Sequence, residues 1–245
     1  MRILELTEST RNNILENLLK RSPNNYGEYE EKVKDIIEQV RSRGDEAVFE
    51  FTKRFDGCEL TPDTLEVTKE EIAEAYKALT PEFIEVLKKS TANIRAYHEK
   101  QLRNSWFDAK EDGTILGQKI TPLNRVGVYV PGGTAAYPSS VLMNAVPAKI
   151  AGVKEIVMVT PPDETGKIPA PILAAAKVAG VDRIFKTGGA QAVASLAYGT
   201  ETVTKVDKVV GPGNVFVATA KRMLYGIVDI DMIAGPSEIL VLADG

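Results

Sequence analysis

Two amide side chains, Gln191 and Asn214, each close a glycine-rich turn: Gly188-Gly189-Ala190-Gln191 and Gly211-Pro212-Gly213-Asn214. A primary amide is neutral and both donates and accepts hydrogen bonds. It therefore suits ribose, carboxamide or phosphate oxygens better than a metal ion. Glycine tolerates positive φ and leaves the backbone open to a ligand. Tyr129 stands just before a third turn, Pro131-Gly132-Gly133, and adds an aromatic ring at the end of a strand. Asn is also among the best helix N-caps, so at both amides helix capping and ligand binding stay open. Ser237 follows Gly235-Pro236, and by position alone it is a turn residue. His98, the one histidine, lies between Tyr97 and Glu99 on a long charged segment. A zinc site collects three or four ligands, so His98 is read as surface or interface. Cys58, the one cysteine, follows Asp56-Gly57 without a CxxC partner and is read as inert.

Repeated strand–turn–helix units must position these residues. Arg125 to Gly152 reads as a strand with Val126, Val128 and Val130 in alternation, a Pro-Gly-Gly turn and an apolar helix. Ser139 and Ser140 are candidate caps for that helix, and Pro147 is expected to kink or restart it. Asp182 to Thr187 is a second strand, followed by a helix from Ala192 to Tyr198. Lys205 to Val210 is a third, followed by a helix from Val215 to Leu224. Between them lie the strand Glu155 to Thr160, a polar loop from Asp163 to Pro169, and an Ala-rich helix from Ile172 to Val178 ended by Gly180. Strand–helix alternation predicts a parallel sheet covered on both faces. Ligands of such sheets sit at the C-terminal ends of the strands. Glu238 to Ala243 reads as a last apolar strand.

The first hundred residues read as helices. One covers Thr10 to Arg21, with Ile14, Leu15, Leu18 and Leu19 on one face. Val33, Ile36, Ile37 and Val40 recur at helical spacing up to Gly44. Asp45 is a candidate cap for the next helix. Thr68 and Glu71 have capping-box spacing, and Thr80-Pro81 opens a long helix. No chemistry is expected on these helices, whose charges read as a solvated face. Residues 104–124 read as a hairpin turning at Asp112-Gly113. Trp106, the one tryptophan, is read as its packing anchor.

With 245 residues, 44% of them apolar, the chain can bury a sizeable core. A mixed charge of net −4 without a basic run argues against nucleic acid and membrane surfaces as partners. No apolar run approaches the ~20 residues of a membrane span, and Met1-Arg2-Ile3 opens no signal peptide. A single cysteine fits a reducing cytoplasm.

The stretches VGVYVPGG, TGGAQAVASLAYGTE, VDKVVGPGN and DMIAGPSEILVLAD, in this order and spacing, resemble the histidinol dehydrogenase family. The resemblance covers the whole chain but only about the first half of a family member. A GxGxxG fingerprint is absent, since Asn214, Val215 and Phe216 follow Gly213. The resemblance implies an α/β fold: a Rossmann-like, non-standard dinucleotide-binding sheet over 125–233. A helical region with a hairpin (1–124) precedes it, and a return strand (234–245) completes a split second domain. It implies NAD bound at Tyr129, Gln191 and Asn214, a histidinol contact at Ser237, and oxidation of histidinol to histidine by two hydride transfers. It further implies a cytoplasmic homodimer and a zinc ion. The family's zinc ligands and catalytic Glu-His pair lie beyond the position matching Gly245. No catalytic or metal residue is therefore assigned here, and the chain alone is expected to be inactive. Two other readings are an NAD-dependent dehydrogenase of the same family acting on another diol, and a non-catalytic nucleotide-binding module.

Overall fold

A computed structural model describes residues 5, 7–13, 27–132, 136–233 and 241. Residues 8–13 are helical (α1). The helix starts before Thr10 because the hydroxyls of Thr7 and Thr10 each accept the other's backbone N–H. The apolar positions expected to follow, from Ile14 on, lie outside the described residues.

Helix α2 (Gly27–Arg43) buries the Val33, Ile36, Ile37, Val40 stripe as its spacing requires. Helix α3 (Asp45–Asp56) follows at once. Asp45 does not cap it. Its carboxylate instead accepts hydrogen bonds from the hydroxyls of Thr200 and Thr202, while its backbone N–H is taken by Glu201 Oε2 at 2.8 Å. A carboxylate from a distant loop thus closes the start of this helix, which only the tertiary fold can arrange. Short helix α4 (Pro62–Leu65) precedes α5 (Lys69–Lys77), which opens with the Thr68–Glu71 capping box. Thr80 Oγ1 accepts from Phe83 N at the start of α6 (Pro81–His98), as expected.

Strands β1 (Trp106–Ala109) and β2 (Ile115–Gln118) form the expected antiparallel hairpin, with Gly113 at φ +86° in its turn. Trp106 is not a buried anchor: it is 54% exposed. The ring that packs within the hairpin is that of Phe107, which lies against its register partner Gly117. A two-stranded ribbon has no inner face to bury a side chain, so both strands stay exposed.

The main sheet holds β3 (Arg125–Tyr129), β4 (Glu155–Thr160), β5 (Arg183–Lys186), β6 (Lys208–Val210) and β7 (Asp229–Ile230). All pairs are parallel, in the order β5-β4-β3-β6-β7. The chain leaves β3 toward β4 and β5, then returns to β6 on the other side of β3. The strand order therefore reverses between β3 and β6, where open sheets leave a crevice for ligands. The outer edge of β5 is covered: Val67 N donates to Ile184 O at 2.8 Å, and the Arg183 guanidinium grips both oxygens of Glu66. Four helices fill the connections: α7 (Pro138–Ile150), α8 (Ala170–Ala179), α9 (Gly189–Tyr198) and α10 (Val215–Leu224).

Residues of the central strands alternate between two cores. Val157, Val159, Phe185 and Tyr129 join α2, α3, α9 and α10 on one face. Val126, Val128, Ile156 and Met158 join α6, α7 and α8 on the other. Three local expectations are corrected. Helix α7 starts at Pro138, ahead of Ser139 and Ser140, and no side chain caps it. It also continues past Pro147 to Ile150, so the helix does not restart there; the proline removes one N–H without ending the helix. Helix α9 starts at Gly189, earlier than expected, so Gln191 lies in its first turn. Among the described residues no helix is long and apolar enough to cross a membrane. The expected strand from Glu238 to Ala243 lies outside the described residues except for Val241, which is exposed and in no element.

Candidate functional site

A cleft of about 780 Å³ opens at the C-terminal ends of the strands. Tyr129 and Gly132 line it from the end of β3, Pro161 and Pro162 from the end of β4, and Gln191 and Asn214 from the starts of α9 and α10. Phe55 and Asp56 come from α3, and the loop after β4 adds Asp163, Glu164 and Thr165. The three residues picked out from the sequence for dinucleotide contact therefore share one rim of the sheet.

Each has a different role in holding the rim. Tyr129 is 3% exposed, and its Oη accepts the backbone N–H of Gly189 at 3.1 Å. This bond ties the start of α9 to β3. Burial pushes the phenol up to about 12, so it stays protonated and keeps an O–H to donate. Asn214 caps α10: its Oδ1 accepts from Phe216 N at 3.1 Å and Val217 N at 3.2 Å. Capping leaves its NH₂ group for other partners, so capping and ligand binding are compatible there. Gln191 is no cap. It is 1% exposed, and neither its Oε1 nor its Nε2 has a hydrogen-bond partner among the described residues. Leaving buried polar atoms unpaired costs roughly 1–3 kcal/mol each. Nothing among the described residues offsets that cost at Gln191.

The glycines of the turns are needed chiefly because the turns touch one another. Gly211 has φ +114°, and a Cβ there would overlap the carbonyl oxygen of Tyr129. A Cβ at Gly188 would sit 2.7 Å from Pro161 Cβ. Backbone approach between neighbouring turns thus draws the three site residues together.

Two features around the cleft were not anticipated. Lys221, 2% exposed, donates from Nζ to Gly211 O at 3.0 Å and also pairs with Asp231. Asp231 Oδ2 in turn accepts Gly211 N–H at 2.8 Å. This pair clamps the loop that carries Asn214, although in sequence Lys221 looks like any charged helix residue. Asp56 is the second. Its Oδ2 is buried without a hydrogen-bond partner, and burial raises the carboxyl to about 6. It also ends α3, where the helix dipole opposes a negative charge. Asp56 thus brings a residue of the N-terminal helices, whose charges were expected to form a solvated face, to the wall of the cleft.

His98 lies away from the cleft, with Nδ1 2.7 Å from Gln101 Oε1. Cys58 is buried, and burial raises its thiol. Among the described residues no group of three or more His, Cys, Asp or Glu side chains could hold a metal ion. The described residues do not fit a zinc centre. Ser237 lies outside the described residues.

Comparison with known proteins follows the same lines. Residues 19–245 match the protein-family model described as histidinol dehydrogenase. The chain is 61% identical over 212 residues to a histidinol dehydrogenase of Geobacillus kaustophilus, covering 86% of this chain and 50% of that protein. It is 57% identical over 233 residues to one from Aquifex aeolicus, covering 95% and 53%. The crystal structure of histidinol dehydrogenase from Elizabethkingia anophelis superposes with a TM-score of 0.80 at 34% identity, over 97% of this chain and 50% of that one. The chain spans about half the length of the relatives it matches.

Proposed function

The chain belongs to the histidinol dehydrogenase family, and on that premise we propose that it forms the NAD-binding part of an enzyme oxidising histidinol to histidine. The observation that carries the reading is the unpaired, buried amide of Gln191 on the wall of a cleft at the sheet's switch point. A nicotinamide dinucleotide supplies the hydride acceptor for such an oxidation. The residues present fit it. Gln191 offers a donor and an acceptor without charge, the free NH₂ of Asn214 donates, and Tyr129 keeps its phenolic O–H near neutrality. Pro131, Pro161 and Pro162 are apolar walls that keep water from a bound ring. The N-terminal end of α10 lines the same cleft through Asn214 and Phe216 and favours the negative pyrophosphate.

Histidinol as substrate, its contact with Ser237, zinc, a homodimer and a cytoplasmic setting belong to this proposal through the family alone. So does the division into a sheet unit over 125–233 and a split second unit. We expect the chain by itself to bind NAD⁺ without turning over histidinol, because no described group can hold the metal. Calorimetry tests the binding: one NAD⁺ per chain is expected, with weaker binding for Gln191→Met. Wild-type chain that takes up no NAD⁺ at millimolar concentration overturns the reading. Steady NADH formation from histidinol and zinc, with host enzyme excluded, overturns the expected inactivity.

A further inference from the structure

We propose that Asp56 and Gln191 together form a subsite for the vicinal hydroxyls of a ribose. The proposal rests on the dinucleotide reading above and adds a residue from outside the sheet. Asp56 comes from α3 and lines the same cleft as Tyr129, Gln191 and Asn214. Its Oδ2 is buried and accepts no hydrogen bond, and no Lys or Arg among the described residues lines the cleft to neutralise it. Gln191 presents two further unpaired atoms, one donor and one acceptor.

The combined need of these atoms narrows the ligand. A carboxylate only accepts, so it requires O–H or N–H donors. The amide requires both a donor and an acceptor. A pair of adjacent hydroxyls meets all of this, because each O–H donates once and still accepts. A phosphate at this point would bring negative charge beside Asp56 and Asp163 with no cation to balance it. A metal ion would need more ligands than are present. The placement of Asp56 costs the fold in two ways, burial and the end of a helix, and no ion pair among the described residues offsets it. Contact with ligand hydroxyls would supply the missing donors.

The test uses the intact chain with NAD⁺ and two analogues, each lacking one ribose 2′-hydroxyl, on the adenosine or the nicotinamide side. Wild-type chain should bind NAD⁺ at least about tenfold more tightly than one of the two analogues, the size expected for a hydrogen bond to a charged group. In Asp56→Asn that preference should fall to about twofold or less, while the affinity for that same analogue changes little. The sensitive analogue identifies the ribose held. If it is the adenosine side, NADP⁺ should also bind poorly to wild type and better to Asp56→Asn. An unchanged preference in Asp56→Asn, or equal binding of all three ligands to wild type, overturns the subsite but leaves the dinucleotide site standing. Failure of wild type to bind NAD⁺ overturns both. Thermal unfolding of Asp56→Asn without ligand separates a folding defect from a lost contact, and the conservative Asp56→Glu should retain part of the preference.

Discussion

Replacing Gly211 by alanine tests whether close packing between turns assembles the site. Gly211 has φ +114°, where a side chain is strained, and its new Cβ would overlap the carbonyl oxygen of Tyr129 on β3. Strain in such a region costs of order 1–3 kcal/mol. Overlap with a fixed backbone atom adds about 1–3 kcal/mol, since neither partner can rotate away. Gly226 supplies the control. Its φ is +97°, yet nothing lies within 4 Å of a Cβ placed there. Gly226→Ala therefore carries the strain alone, and the difference between the two variants isolates the overlap. Urea unfolding at matched slope should place Gly211→Ala at least about 1 kcal/mol below Gly226→Ala. The overlap must be relieved by moving the loop that carries Asn214, so NAD⁺ affinity should fall in Gly211→Ala and stay unchanged in Gly226→Ala. Equal destabilisation of the two variants, or an unaltered affinity in Gly211→Ala, would refute the reasoning.

Other expectations follow from the same contacts. Gln191→Met removes two unpaired buried atoms at nearly constant volume. It should stabilise the free chain by about 1 kcal/mol in thermal or urea unfolding while weakening NAD⁺ binding. Lys221→Met leaves Asp231 without its cation and should cost about 3 kcal/mol in urea unfolding, part of which Lys221→Met/Asp231→Asn recovers. Asp56 has a carboxyl raised to about 6 from an ordinary 3.8. Its contribution to stability is thus fully present below about pH 4 and is lost as pH rises through about 6. Asp56→Asn should therefore gain about 1 kcal/mol relative to wild type between pH 4 and pH 7.5, the value reduced for partial exposure to solvent; a constant difference between the two pH values would contradict the assignment.

What the sequence revealed depended on how local the cause was. The Thr68–Glu71 and Thr80 caps were legible because a cap forms within one turn of chain. The parallel sheet was legible because short apolar strands alternate with glycine turns and helices, and that pattern admits few arrangements. Tyr129, Gln191 and Asn214 could be placed on one rim because each follows the same strand-to-helix logic. Asp56 could not, because it comes from a different layer and its environment exists only once α3 lies over the cleft. The same holds for Asp45, where local cap preference pointed one way and the hydroxyls of Thr200 and Thr202 prevailed. Lys221 was illegible for a related reason, since its burial depends on the return of the chain at Asp231. Trp106 misled because burial was inferred from its size, whereas the ribbon that carries it offers no cover.

The central claim is that the cleft between the ends of β3, β4 and β6 holds the dinucleotide. Titrating NAD⁺ into ¹⁵N-labelled chain and following backbone and side-chain amide signals tests it most directly. Saturable shifts are expected at Gly132, Gly189, the Gln191 side chain and Phe216, with those residues moving together at one dissociation constant. A second groove, lined by Leu102, Arg103, Met143 and Lys208, serves as the internal comparison and should stay silent. Shifts confined to that second groove, or no shifts at saturating NAD⁺, would contradict it.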